Sequence, residues 1–179
     1  MIVRAPLILL GFHPALVLFV GGLNLIYQFW IHTEVIGKMP RWFEAVMNTP
    51  SHHRVHHGRN ARYLDANYAG VFIIWDKMFG SFVPEDDTVE INYGLVKNVD
   101  TYNPFRIAFA EMWGAVKDAA MPRLTMVQRL KYIFAPPGYS HDGSRQSSLD
   151  LKTAYVVANP LLSGTPGLPL LPSPNRETT

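Results

Sequence analysis

Residues 48–60, NTPSHHRVHHGRN, put four of the chain's seven histidines, His52, His53, His56 and His57, within six positions. Neutral imidazole is the commonest nitrogen ligand for zinc, iron, copper and nickel. The 179 residues contain no cysteine, so thiolate ligands, disulfides and a cysteine nucleophile are excluded. A metal here has to be held by nitrogen or oxygen. A solvated polar helix or a pH-responsive surface is the plain alternative, and the density of histidines argues against it.

The flanking residues predict what carries the cluster. Thr49 can cap a helix, Pro50 suits its first turn and Gly58 can end it, which gives about two turns. At about 100° per residue, His53, His56 and His57 share one face, with His52 beside it and able to pair with His56. His32 is a further candidate, with Gln28 one turn earlier on the same face. An ionisable group at membrane depth is a functional candidate by default, although His32 could simply mark a membrane–water boundary. His13, just before Pro14, suits hydrogen bonding between helices as well as it suits ligation, and His141 in YSHDGS reads as a surface residue.

Other chemistries find less support. A zinc-protease helix needs Glu directly after its first histidine, and here Arg54 follows His53. Neither a G-x-S-x-G elbow nor a Walker loop occurs. The net charge of +2 comes from scattered Lys and Arg, with no basic run of the kind that binds nucleic acid.

The elements that must position the histidines begin with an apolar run. Between Arg4 and Glu34 there is no Asp, Glu, Lys or Arg, and a bilayer core needs only ~20 such residues as a helix. The run is too long for the apolar part of a signal peptide, and no small-residue cleavage site follows it. Pro14 and Gly21-Gly22 leave a tilted helix and a re-entrant hairpin both open, and Tyr27 and Trp30 suit interface anchors.

Further on, VFIIWDKMFGSFV can be a buried strand or a short helix. Asn103 and Pro104 start a helix in which Phe105, Ala108, Phe109, Met112, Trp113 and Val116 recur at helical spacing, opposite Arg106, Glu111 and Lys117. Such a helix can pack on the domain or lie on lipid, and packing is the commoner outcome. A second helix is expected from Thr125 to Phe134, with Val127, Leu130 and Phe134 on one side. The expected fold is all-α: a membrane segment over residues 1–33, a helical cap with the histidine cluster over 34–145, and a tail over 146–179 that is disordered from about 161.

Taken together, FWIHTEVIG, NTPSHHRVHHGRNARYLDANYAGVFIIWDKMFGSF and the later YGL, YNPF and PPGYSHDG resemble the C-terminal portion of the fatty acid hydroxylase superfamily. These are membrane di-iron enzymes of the sterol desaturase and alkylglycerol monooxygenase type. The resemblance implies that His53, His56 and His57 are metal ligands, with His52 often histidine too and His32 a ligand in some members. Gln28 stands where some members carry another histidine. Asp65, Asn67 and Asp76 match polar positions that either orient imidazole N–H groups or cap loops.

It also implies iron as cofactor, a lipid substrate (sterol, fatty acyl chain or alkylglycerol), a cytochrome, reductase or pterin as electron source, and a cytoplasmic position for the cluster in an integral membrane protein. Family members carry two earlier clusters, H-x-x-x-H and H-x-x-H-H, which this chain lacks. The chain on its own is therefore expected to be an incomplete di-iron oxygenase, with a second chain able to supply the missing ligands. A non-catalytic membrane protein that binds a metal, or acts through interaction, is the alternative.

Overall fold

The computed structural model describes residues 5–96, 101–135 and 138–171. Eight α-helices lie among these residues: α1 Ala5–Leu9, α2 Pro14–Ile31, α3 Arg41–Glu44, α4 Pro50–His57, α5 Ile74–Phe79, α6 Pro104–Ala119, α7 Met126–Phe134 and α8 Ser148–Ala158. No strand occurs among the described residues. An isolated antiparallel bridge joins Met47 to Phe72. The chain divides into two compact units, Met1–Gly58 with Asp65–Asn92, and Arg59–Leu64 with Tyr93–Thr179.

In the first unit the apolar run is split. α1 ends in a turn where Gly11 takes φ 96°, a left-handed conformation that glycine adopts without a steric penalty. His13 then caps α2, its Nδ1 accepting from the Ala15 N–H, with Pro14 in the first turn. α2 runs unbroken through Gly21-Gly22 for 18 residues, about 27 Å at 1.5 Å per residue, and is long and apolar enough to cross a membrane. Only Val17, Gly21 and Ile31 are buried along it.

α2's polar residues meet the segment that follows α4. A Cβ placed on Gly70 would lie 2.4 Å from Asn24 Oδ1 and 2.7 Å from Gln28 Nε2, so glycine permits this close approach. The Tyr27 hydroxyl donates to the Asn48 carbonyl at 2.7 Å. Asn48 in turn donates its N–H to the Val71 carbonyl at 2.7 Å, and its side-chain amide donates to the Ala69 carbonyl. The residues NTP ahead of the histidines therefore fasten α4 between α2 and the 69–71 segment. Ile31, Val55 and Ile73 are fully buried, with Ala66 and Val83 nearly so, and form the small core of this unit.

The VFIIWDKMFGSFV segment resolves to helix, as α5, which ends at Gly80 in the left-handed conformation. In the second unit α6 and α7 pair as a hairpin, and both start where the sequence expects, on Asn103–Pro104 and on a Thr125/Gln128 capping box. α8 was not expected. It starts from a Ser147/Asp150 capping box and packs on the 3-10 turn Ala61–Tyr63, where Val156 and Tyr63 are buried. The tail differs from expectation too. Pro160–Leu162 forms a 3-10 turn, Gly164 donates to the Pro169 carbonyl, and Leu168 is buried, so local hydrogen bonds order a Pro- and Gly-rich stretch as far as residue 171. Residues 172–179, and Pro136 and Pro137 of PPGYSHDG, lie outside the described residues.

Candidate metal centre

α4 has the start and stop that its flanks predict. The Thr49 hydroxyl oxygen accepts from the His52 N–H and donates to Glu44 Oε1 at 3.1 Å, and the Gly58 N–H closes the helix on the Val55 carbonyl. His53 and His57, one turn apart, bring their Nε2 atoms to 3.1 Å. His32, which caps the C-terminus of α2, adds a third Nε2 at 2.8 Å from His53 and 3.2 Å from His57. Two elements thus aim three nitrogens at one point.

The tautomer of a neutral His32 ring is set by its other nitrogen. Nδ1 lies 2.6 Å from the Gln28 carbonyl, which can only accept, so Nδ1 carries the proton and Nε2 presents a lone pair to the cluster. The contact is with the main chain of Gln28. His53 is buried, and this burial, with His32, His57 and His56 nearby, pushes its pKa down to about 3. His57 is lowered for the same reasons, burial first. At neutral pH both are uncharged, the form that binds metal.

Mutual hydrogen bonds cannot satisfy this triangle. Each neutral ring offers one N–H and one lone pair, so three converging Nε2 atoms can make one good bond and leave one nitrogen unmatched. His53 Nδ1 is also buried without a partner. A shared cation resolves the frustration. With metal–nitrogen bonds of about 2.1 Å, two nitrogens at right angles on one ion stand about 3 Å apart, close to the separations found. The three imidazoles fit a divalent transition metal such as iron.

The other expected ligands lie apart from this triad. His56 turns its Nδ1–H to the Ala66 carbonyl at 3.2 Å and stacks on His53 with ring centroids 5.5 Å apart. His52 is buried against Phe82 on the other side of α4, with Nδ1 unpartnered. His141 is exposed and bonds to the Tyr132 hydroxyl.

The polar positions after the cluster cap loops. Asn67, in the left-handed region, donates to the carbonyls of His52 and Val83 and accepts from the Val83 N–H. It staples the backbone of α4 to the 81–83 segment. Asp65, also left-handed, bonds the Tyr68 hydroxyl, whose pKa burial and the Asp65 charge raise to about 12. Asp76 accepts from the Tyr68 and Ala69 N–H groups and the Ser81 hydroxyl. Asp76→Ala leaves those three donors unmatched and is expected to cost about 2–3 kcal/mol, read as a lowered unfolding midpoint, whereas Asp76→Asn keeps an acceptor and loses less.

Arg54, seen in the sequence only as the residue that rules out a protease, ties the site together. Its guanidinium makes a bidentate pair with Glu85, Nε to Oε1 at 2.8 Å and Nη2 to Oε2 at 2.7 Å, while Nη1 donates to the carbonyls of Thr33 and Ile36. This holds the segment just after His32 against α4. An arginine inside a buried helix demands such an acid, and that was the available signal.

Burial alone would push Glu85 up, but hydrogen bonds from Arg54 and Ser51, and the charge of Arg54, hold it below the ordinary carboxylate value. A depressed carboxylate contributes stability above its unfolded-state pKa and loses it as pH falls through the folded one. The melting temperature should therefore fall more steeply below about pH 4.5 in the native chain than in Glu85→Gln.

The fold and the triad define a class: a helical protein with three convergent histidines, arranged as a metal could be held, at the foot of a membrane-length helix. Residues 1–81, less than half of the chain, match the family model described as fatty acid hydroxylase. The chain is similar to alkylglycerol monooxygenase of Xenopus tropicalis, 46% identical over 119 residues (65% of this chain, 25% of the relative). The human alkylglycerol monooxygenase is 53% identical over 90 residues (50% and 20%), and that of Caenorhabditis elegans 43% over 122 residues (64% and 24%). The chain thus spans about a fifth to a quarter of the length of these curated relatives. No solved structure matches it.

Proposed function

We propose that this chain supplies one wall of the metal centre of a membrane-bound, iron-dependent lipid oxygenase. The observation that carries the reading is the convergence of His32, His53 and His57 through Nε2 at the end of α2. Iron held there would supply the redox chemistry by which dioxygen oxidises an unactivated C–H bond of a lipid. Imidazoles suit that task as neutral donors. The Gln28 carbonyl fixes the tautomer of His32, Arg54 sets its distance from α4, and the apolar surface of α2 presents lipid while limiting water.

The names of the relatives favour an alkylglycerol as substrate, with sterol and fatty acyl chains as the other members of the class. In this reading α2 crosses the membrane and the histidines face the cytoplasm. A two-iron centre needs histidines beyond the triad. His56 and His52 are the nearest in this chain, and the remainder are assigned to further clusters on a partner polypeptide or further sequence. The electrons come from a separate donor.

The test is iron analysis of the purified full chain, together with incorporation of oxygen from labelled dioxygen into alkylglycerol in membranes that contain it. Bound iron and labelled product support the reading. Bound metal without turnover in any membrane favours a non-catalytic metal-binding protein, and no bound metal favours an interaction role.

A further inference from the structure

α6 is packed the wrong way round for a helix in a soluble core. At about 100° per residue, Phe105, Phe109, Met112, Trp113 and Val116 fall in one stripe of about 100°. That stripe is open: Phe105 is 75% exposed, Met112 59% and Trp113 60%. Among its described residues α6 buries Asp118, on the opposite side, where it pairs with both terminal guanidinium nitrogens of Arg145. Gly114 and Ala115, on the same side as Asp118, are half-buried.

α7 repeats the pattern. Met126, Leu130, Ile133 and Phe134 share a stripe and are all exposed, Phe134 at 80%, and no residue of this helix is buried. Its two cations, Arg129 and Lys131, lie at the two edges of that stripe, and Gln128 and Tyr132 fill the back. On α6, Lys117 sits at the stripe's edge with Nζ 5.7 Å from the centre of the Trp113 ring.

We propose that the α6–α7 hairpin lies flat on an anionic phospholipid surface, with its two aromatic and aliphatic stripes immersed and Lys117, Arg129 and Lys131 at headgroup level. Charge favours this occupant over another protein. Cations border the stripes, Arg106 and Arg123 add to them, and Asp118 is turned inward and neutralised. Long basic side chains beside an apolar stripe can hold their stems in the acyl boundary and their charges among phosphates. Neither helix can span: α7 has nine residues and α6 carries charges along its length. The hairpin is an interfacial element, and the inference rests on the membrane part of the proposed function but not on the metal.

The absence of cysteine makes the test direct, because a single introduced cysteine carries a spin label in the full chain. Labels are placed at Phe19→Cys on α2, Met112→Cys and Leu130→Cys on the stripes, and Ser144→Cys in an exposed loop of the same unit. The chain is reconstituted in vesicles of phosphatidylcholine and phosphatidylserine. Collision with dissolved oxygen, against collision with a water-soluble nickel complex, should place 112 and 130 in lipid beside 19, with 144 in water.

Lys117→Glu with Lys131→Glu should shift 112 and 130 toward the aqueous value. Positions 112 and 130 behaving like 144, while 19 stays in lipid, would overturn the hairpin's role and leave the membrane reading of α2 intact. Positions 112 and 130 shielded from both reagents would overturn it in favour of a protein partner or a second copy.

Discussion

His53→Ala is expected to lower the metal affinity of the chain by at least about 100-fold while leaving it folded. Loss of a partner that only orients a ligand costs 10–100-fold, and His53 is itself one of three donors. It contributes to two of the triangle's three short separations, 2.8 Å to His32 and 3.1 Å to His57. Its Nδ1 has no partner, so truncation removes a frustrated buried ring and breaks no hydrogen bond to the backbone.

Metal titration with cobalt or ferrous iron, followed alongside helical circular dichroism, reads the two effects separately. His52→Ala, on the far side of α4, and His56→Ala, whose Nδ1 is held by Ala66, should retain the ion. Loss of metal in both His53→Ala and His56→Ala, with retention in His32→Ala, would mean that the helix face read from spacing, and not the triad with His32, is the site.

Arg54→Ala is expected to be the most destabilising single change in the unit, by about 3–5 kcal/mol, the range for breaking a buried ion pair from one side. Both side chains are largely sequestered, 12% exposed for Arg54 and 13% for Glu85. Removing the guanidinium strands the Glu85 carboxylate and frees the carbonyls of Thr33 and Ile36. The segment carrying His32 then loses its tie to α4, so metal affinity should fall together with stability. Thermal unfolding in detergent measures the first effect. The double variant Arg54→Ala/Glu85→Ala separates it from the loss of the tether: it should recover part of the stability, because no charge is left buried, and none of the lost metal affinity. Equal stability of Arg54→Ala and the native chain would show that the pair carries no weight.

Much of this was legible in the residues, and the reason differs from place to place. The boundaries of α4, α6 and α7 follow from local chemistry, a side-chain cap with a proline or a capping box, and local chemistry is what a sequence displays. The same signal, Ser147 with Asp150, stands at the start of α8, but residues 146–160 read only as the head of a tail whose Pro- and Gly-rich part begins near 161.

The triad is a different matter. Spacing along α4 gives a face of His53, His56 and His57, but which of its rings meets His32 depends on how α2 docks, and that is set by Tyr27, Asn48, Arg54 and the gap at Gly70, over 20 or more residues of separation. Long-range hydrogen bonds of this kind leave no periodicity. Of the two places at which the apolar run could yield, Pro14 follows the turn and begins α2, whereas Gly21-Gly22 lies inside it, because glycine marks where a helix can yield and not where it does.

The central claim is that His32, His53 and His57 hold one ion through their Nε2 atoms. X-ray absorption at the iron edge of the iron-loaded full chain addresses it directly. The account predicts a first shell containing nitrogen at about 2.1 Å and outer-shell scattering from three imidazoles, reduced by one ring in His32→Ala. A first shell of oxygen without imidazole scattering, or a spectrum unchanged in His32→Ala, would contradict it.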